Sequence, residues 1–275
     1  MKTSNHLLRR LTAALLAAVL ALSIALPVFA SDDGDTIYIN SVSDLLSLAR
    51  NCAYDQWSVG KTVILQKDLS LEGMLWEPIP SFSGQFKGNG HTISDLTITG
   101  QYSPAGLFGI VEEQGSIESL SVRGVVSVSD SADTTTGGIV GVNHGTLINC
   151  QFTGVVTGDS EVGGIVGRNE SEGTIDHGTA RAIVTGKSST GGIAGYNLGA
   201  ITGCTNVGSI NTEYPEASLD TDGFTAKMVD YINNKMAAAD NDATNSVTNV
   251  ATDTGGIAGR SSGMILTSVN TGTIG

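Results

Sequence analysis

Positively charged residues are scarce: 14 Lys and Arg stand against 27 Asp and Glu, a formal net charge of −13 over 275 residues. That deficit argues against nucleic acid and anionic membrane as partners, since both are held mainly by clustered cations. An acidic surface also keeps a soluble extracellular repeat protein dispersed. Aromatic residues make up only 5%, and Trp57, Trp76, Phe82 and Phe86 fall in one stretch. Such a cluster is either core or a sugar platform, and its place beside an end cap favours core. Histidines number four. His6 lies in the leader, and His91, His144 and His177 each stand in a glycine-rich turn context. None belongs to an H-E-x-x-H pattern. No catalytic, cofactor-binding or metal residue is therefore assigned, and no cofactor is expected.

Long apolar runs are missing too, except at the start. Residues 1–30 carry Lys2, Arg9 and Arg10, an apolar run from Leu11 to Leu26, and Val28-Phe29-Ala30 before a cleavage point. This is the pattern of a secretory signal peptide rather than a membrane anchor. The Arg9-Arg10 pair lacks the neighbours of a twin-arginine signal, which points to ordinary secretion. Its removal takes away three cations and no acid, so the net charge moves from −13 to −16. After signal cleavage no integral membrane segment is expected.

What is abundant is glycine, 36 residues, and it recurs with a period. GGIVGVNHGTLINC from Gly137 is echoed by GGIVGRNESEGTIDHG from Gly163, GGIAGYNLGAITGC from Gly191 and GGIAGRSSGMILTS from Gly255. A looser copy, AGLFGIVEEQGSIESL, starts at Ala105. Steps of 26 and 28 residues from Gly137 to Gly163 and Gly191 mark a solenoid or array. Each unit holds three short β-prone runs between glycine or polar turns, too short and glycine-rich for helices. Alignment places Leu107, Ile139, Ile165, Ile193 and Ile257 in one column. Ile117, Leu147, Ile175, Ile201 and Ile265 form a second, and Val126, Val156, Val184, Ile210 and Ile274 a third. Three aliphatic columns predict a three-sided coil whose strands pair in parallel with their copies about 4.8 Å away.

The minor columns carry expectations of their own. Gly141, Gly167, Gly195 and Gly259 fall where the chain is expected to turn a corner with positive φ. Asn143, Asn169 and Asn197 follow them, suited to left-handed backbone and to a hydrogen-bond ladder, a structural role more than a binding one. Cys150 and Cys204 share a column two rungs apart, so their Cα atoms stand about 9–10 Å from each other. A bridge needs less than about 7 Å. Cys52, Cys150 and Cys204 are therefore expected to be unpaired, mostly buried thiols.

The pattern GG-aliphatic-aliphatic-G-x-N-x-G-x-I-x-x-C resembles the GLUG-motif repeat of bacterial surface and adhesin-like proteins and of some streptococcal IgA-specific metallopeptidases. The resemblance covers residues 105–275, and WEPIPSFSGQFKGNGHTISDLTITG from Trp76 resembles the segment that often precedes such repeats. Ala105, Gly178, Ser268 and Ser261 depart from the consensus at single rungs. The resemblance implies an all-β, right-handed parallel β-helix. It leaves the activity open, because the motif recurs in proteins with different tasks, and the absent H-E-x-x-H keeps zinc peptidase chemistry from being carried over.

Around this array the chain divides into a signal peptide at 1–30, a cap helix with the first irregular rungs at 31–104, and the repeats at 105–275 with an insertion at 211–254. Ser41-Val42-Ser43-Asp44 fits a helix N-cap, followed by Val42, Leu45, Leu46, Ala49, Cys52 and Ala53 at helical spacing. A helix there would plug the open end of the coil. Within the insertion, Phe224, Met228, Tyr231, Ile232 and Met236 share one helical face, either packed on the coil or projecting as a binding arm. Asp220-Thr221-Asp222-Gly223 is a calcium-loop fragment without the remaining ligands. At Gly275 the last rung has no cap, so further rungs or a further domain, or another chain, are expected to cover it.

Two functions fit. The first is an extracellular structural or adhesive module of a bacterial surface or secreted protein, binding a glycan or protein along a strand face or the insertion. The alternative is a secreted polysaccharide lyase or glycoside hydrolase of β-helix type, which needs acids grouped on one outer face. One outward column reads Glu118, Ile148, Asp176, Thr202 and Leu266, another Arg123, Thr153, Arg181, Val207 and Thr271. The acids are separated by apolar residues, and Asp176 beside Arg181 is the pair to test first.

Overall fold

The structure, a computed structural model, describes residues 35–54, 56–128, 134–212 and 252–275. The expected signal peptide, the helical face expected at Phe224 to Met236 and the calcium-loop fragment lie outside the described residues. The remainder is a parallel β-solenoid with one helix. Every strand pairing is parallel, and each runs between successive turns rather than within one. A representative turn is made of Glu161–Gly163, Val166–Asn169, Thr174–Asp176 and Thr179–Thr185. These belong to four separate sheets of four, six, eight and eight strands.

The three columns hold in register. Ile117, Leu147, Ile175, Ile201 and Ile265 are consecutive partners, and the column continues backwards through Phe86 and Val63 to Ile37. Val126, Val156, Val184, Ile210 and Ile274 are likewise partners. Leu107, Ile139, Ile165 and Ile193 are fully buried at the entrance to the six-stranded sheet. Stacking of this kind removes each side chain from water and stabilises the coil by roughly 1.5–3 kcal/mol apiece before chain entropy is subtracted.

The coil has four sides, not three. The fourth sheet, Thr135–Gly137, Glu161–Gly163, Ser188–Gly191 and Thr252–Gly255, carries the first glycine of each double-glycine pair. It contributes no aliphatic column of its own, because Thr136, Val162 and Thr190 alternate in it, so hydrophobic pattern alone cannot find it. Gly141, Gly167, Gly195 and Gly259 correct the second expectation. They lie inside strands and none is among the residues with positive φ. Their role is close approach: a Cβ on Gly195 would stand 2.4 Å from the Val162 nitrogen, and one on Gly137 2.7 Å from the Gly167 nitrogen. The four-stranded and six-stranded sheets thus meet backbone to backbone. The left-handed corner instead falls on Ser119, Asn149, His177, Gly203 and Thr267, with φ between 47° and 61°.

At the N-terminal end, α1 (Val42–Asn51) forms as its residues dictate. Ser41 is extended, and its Oγ accepts from the Asp44 amide at 3.2 Å, while the Asp44 carboxylate accepts from the Asn40 amide at 2.9 Å. Leu45, Leu48 and Cys52 turn one face of α1 into the core. Most of the aromatic cluster is core as well: Trp76, Phe82 and Phe86 are buried, Trp57 is partly buried against the core, and Phe82, Phe86 and Phe108 pack with ring centroids 5.4–6.3 Å apart. The Trp76 indole donates to the Leu107 carbonyl at 3.1 Å, which satisfies its only polar atom.

Candidate binding surfaces

Asparagines inside the coil are tied up in ladders. Asn143, Asn169 and Asn197 are fully buried. The Asn143 amide donates to Asn169 Oδ1 at 2.8 Å, Asn169 to Asn197 Oδ1 at 2.8 Å, and Asn197 to Ser261 Oγ at 3.1 Å. Each also donates to the carbonyl of its own turn, at Gly145, Gly173 and Gly199. The ladder expected from the sequence is present, but without left-handed backbone at these asparagines. A second ladder, Asn206 to Asn270 at 2.7 Å, escapes sequence reading because Asn206 occupies a position filled by Phe152 and Ala180 in earlier turns.

The thiols of Cys52, Cys150 and Cys204 are free and buried. Burial pushes Cys150 up to about 12 and Cys52 and Cys204 up to about 11, because a thiolate there would lose its hydration. Gly178 separates the stacked pair, and its amide donates to Cys204 Sγ at 3.2 Å.

On the outside, Glu118, Ile148, Asp176, Thr202 and Leu266 are adjacent in register, as are Arg123, Thr153 and Arg181. The group beside the Asp176 carboxylate is His177 Nδ1, at 2.9 Å, not Arg181. His177 is itself a left-handed corner residue. The six-stranded sheet carries a feature the sequence reading missed. Arg168, Tyr196 and Arg260 are register partners, with both guanidinium groups over the Tyr196 ring at 5.1 and 5.4 Å. Arg168 also pairs with Glu161 at 2.9 Å and Glu170 at 2.8 Å.

Two of the clefts formed by the described residues bear on function. The smaller, about 560 Å³, is lined by Ser81, Ser83, Glu112, Glu113 and His144 among others, and the Ser81 hydroxyl donates to Glu112 at 2.7 Å. Glu112-Glu113 and His144 come from successive turns, so only the register reveals that they share a cleft. The larger, about 780 Å³, lies between α1 and residues 75–80.

No family model matches the chain. A stretch of 155 residues is 30% identical to halomucin of Haloquadratum walsbyi, covering 52% of this chain and 2% of that protein. A candidate Gly-rich membrane protein of Evansella cellulosilytica is 29% identical over 137 residues, covering 36% of this chain and 16% of that one. The chain thus spans a small part of the length of either relative. Among solved structures, a candidate immunoglobulin A1 protease from Bacteroides ovatus superposes with a TM-score of 0.51 at 21% identity, covering 64% of this chain and 57% of that one. That likeness concerns the fold. Among the described residues no helix is long and apolar enough to cross a membrane.

Proposed function

We propose that the chain is an extracellular structural and adhesive module, a β-helix of the GLUG-repeat type that binds a glycan or protein without chemical turnover. The observation that carries this reading is the division of labour in each turn. Inward positions are spent on aliphatic columns and asparagine ladders, while outward positions vary from rung to rung, as in the column Glu118, Ile148, Asp176 and Thr202. Such a rod presents diverse side chains at fixed spacing, which suits recognition. The stretch shared with halomucin and the leader at 1–30 support placement at the cell surface or outside it.

The test is cell fraction and intact mass of the native protein, followed by binding and turnover assays on polysaccharides. Retention on the cell, with binding but no product, is the expected result. Polysaccharide products would replace this reading with the lyase or hydrolase reading. One observation favours that second reading, the grouping of Glu112, Glu113 and His144 in one cleft. Its own check is loss of turnover in Glu112→Gln and Glu113→Gln, with Asp176→Ala as a comparison on the outer face.

A further inference from the structure

The capped end of the solenoid holds a groove that differs in composition from the repeated turns. Helix α1 forms one wall and residues 75–80 the other, and the volume of this open cleft, about 780 Å³, falls in the range of roughly 300–1,000 Å³ usual for small-ligand sites. Because Leu45, Leu48 and Cys52 face the core, the groove receives the other side of α1. Tyr54 and Leu75 line it at 73% and 72% exposure, the highest values among the exposed large apolar side chains described. Both line the same groove, so they present apolar surface to whatever occupies it.

The polar groups around them have hydrogen-bonding capacity to spare. Arg50 donates to Ser47 Oγ at 3.2 Å, and among the described residues it faces no carboxylate within ion-pair distance. The Asn51 amide and the Glu77 carboxylate, which also line the groove, have no intramolecular partner among the described residues. Guanidinium, amide and carboxylate are flat groups with two donors or acceptors side by side, a spacing that matches neighbouring hydroxyls on a ring. An aromatic face beside them accepts the apolar face of the same ring. A wholly apolar ligand would strip water from Arg50 and Glu77 without replacing it. A charged one would meet one of the two as a like charge.

We propose that this groove binds a neutral oligosaccharide, with Tyr54 stacked against a pyranose ring and Arg50, Asn51 and Glu77 holding its hydroxyls. The proposal rests on the non-catalytic binding reading and deepens it. It moves the ligand from the strand faces to the cap, and it sets one site per chain, because α1 occurs once while the turns repeat.

The experiment titrates the full secreted chain by calorimetry with soluble oligomers of glucose, mannose, galactose and N-acetylglucosamine. One of them is expected to bind with one site per chain. Tyr54→Ala and Arg50→Ala should each weaken binding by about tenfold or more, while Tyr54→Phe and the outer-face variant Thr153→Ala stay near the parent. Melting temperatures check that the variants fold, which the exposure of Tyr54 favours. Absence of binding by all four oligomers overturns the groove, and so does binding that Tyr54→Ala and Arg50→Ala leave intact. If Thr153→Ala alone removes binding, the groove falls while the adhesive reading stands on the strand face. Absence of oligomer binding in a protein still retained on the cell leaves that broader reading in place and removes only this one.

Discussion

At the scale of single residues, the interior holds side-chain amides that are buried and paired with one another. Asn169 illustrates the point, since its side chain accepts from Asn143 and donates to both Asn197 and the Gly173 carbonyl. Asn169→Ala strands a donor on one neighbour and an acceptor on the other, each worth about 1–3 kcal/mol when buried. A loss of about 2–5 kcal/mol in urea unfolding is expected. Asn169→Ser should be milder, because Ser261 already fills this column with a hydroxyl that accepts from Asn197. The thiols give a second prediction. At pH 8 the folded protein should react slowly with a disulfide reagent and titrate three thiols only after unfolding, matching its three cysteines. The ordinary thiol value is 9.0 and the folded values are about 11 to 12. Above pH 9 the unfolded chain therefore releases protons that the folded one keeps, and stability falls as pH rises. The asparagine ladder is legible in the sequence because its residues repeat with the period. Asn206 and Asn270 are not, because the second ladder begins where Ala180 and Phe152 had stood.

At the scale of elements, the sequence shows what is apolar and hides what is thin. Three aliphatic columns mark three sheets correctly. The fourth is built from backbone laid on backbone, and its only sequence trace is glycine, which serves corners equally well. The distinction has a mechanical consequence. A glycine used for positive φ tolerates space but not a side chain's conformational preference, whereas Gly195 has acceptable φ and no space. Gly195→Ala should push the four-stranded sheet off the six-stranded one at Val162 and lower stability by about 1–3 kcal/mol, measured as a drop in melting temperature. A cost near that of an ordinary exposed glycine, well under 1 kcal/mol, would mean that the seam gives way to an added Cβ more readily than its backbone packing implies. The cap helix, by contrast, is fully legible: an N-cap serine, an acid three residues on and an apolar stripe act locally and need no knowledge of the coil. The groove behind it is not legible, because Tyr54 and Glu77 meet only when helix and rung are assembled.

At the scale of the whole molecule, a solenoid contacts itself only from turn to turn, so its stability is distributed along the axis rather than concentrated in one centre. The two ends of the described coil differ in this respect. The first turns are closed by α1, with Leu45 and Leu48 buried against them. In the last turn, Ile265 and Ile274 continue fully buried columns yet are 39% and 46% exposed, and Met264, Leu266 and Val269 are about half exposed, at 53%, 47% and 51%. Met264, Ile265, Leu266 and Val269 also lie on strands with a partner on one side only, and Ile274 makes a single bridge to Ile210. Opening that turn exposes little new apolar surface and breaks one set of strand pairs. Opening a middle turn breaks two sets and exposes a complete layer. Local opening free energies should therefore rise from the last turn inward. Native-state amide exchange is expected to be fastest in Ala258–Ser261 and Met264–Leu266, slower in Ala194–Asn197, and slowest in Val140–Asn143 and Thr146–Ile148. Uniform protection across these strands would mean that the last turn is covered, and that the exposed columns at Ile265 and Ile274 form a contact surface in solution.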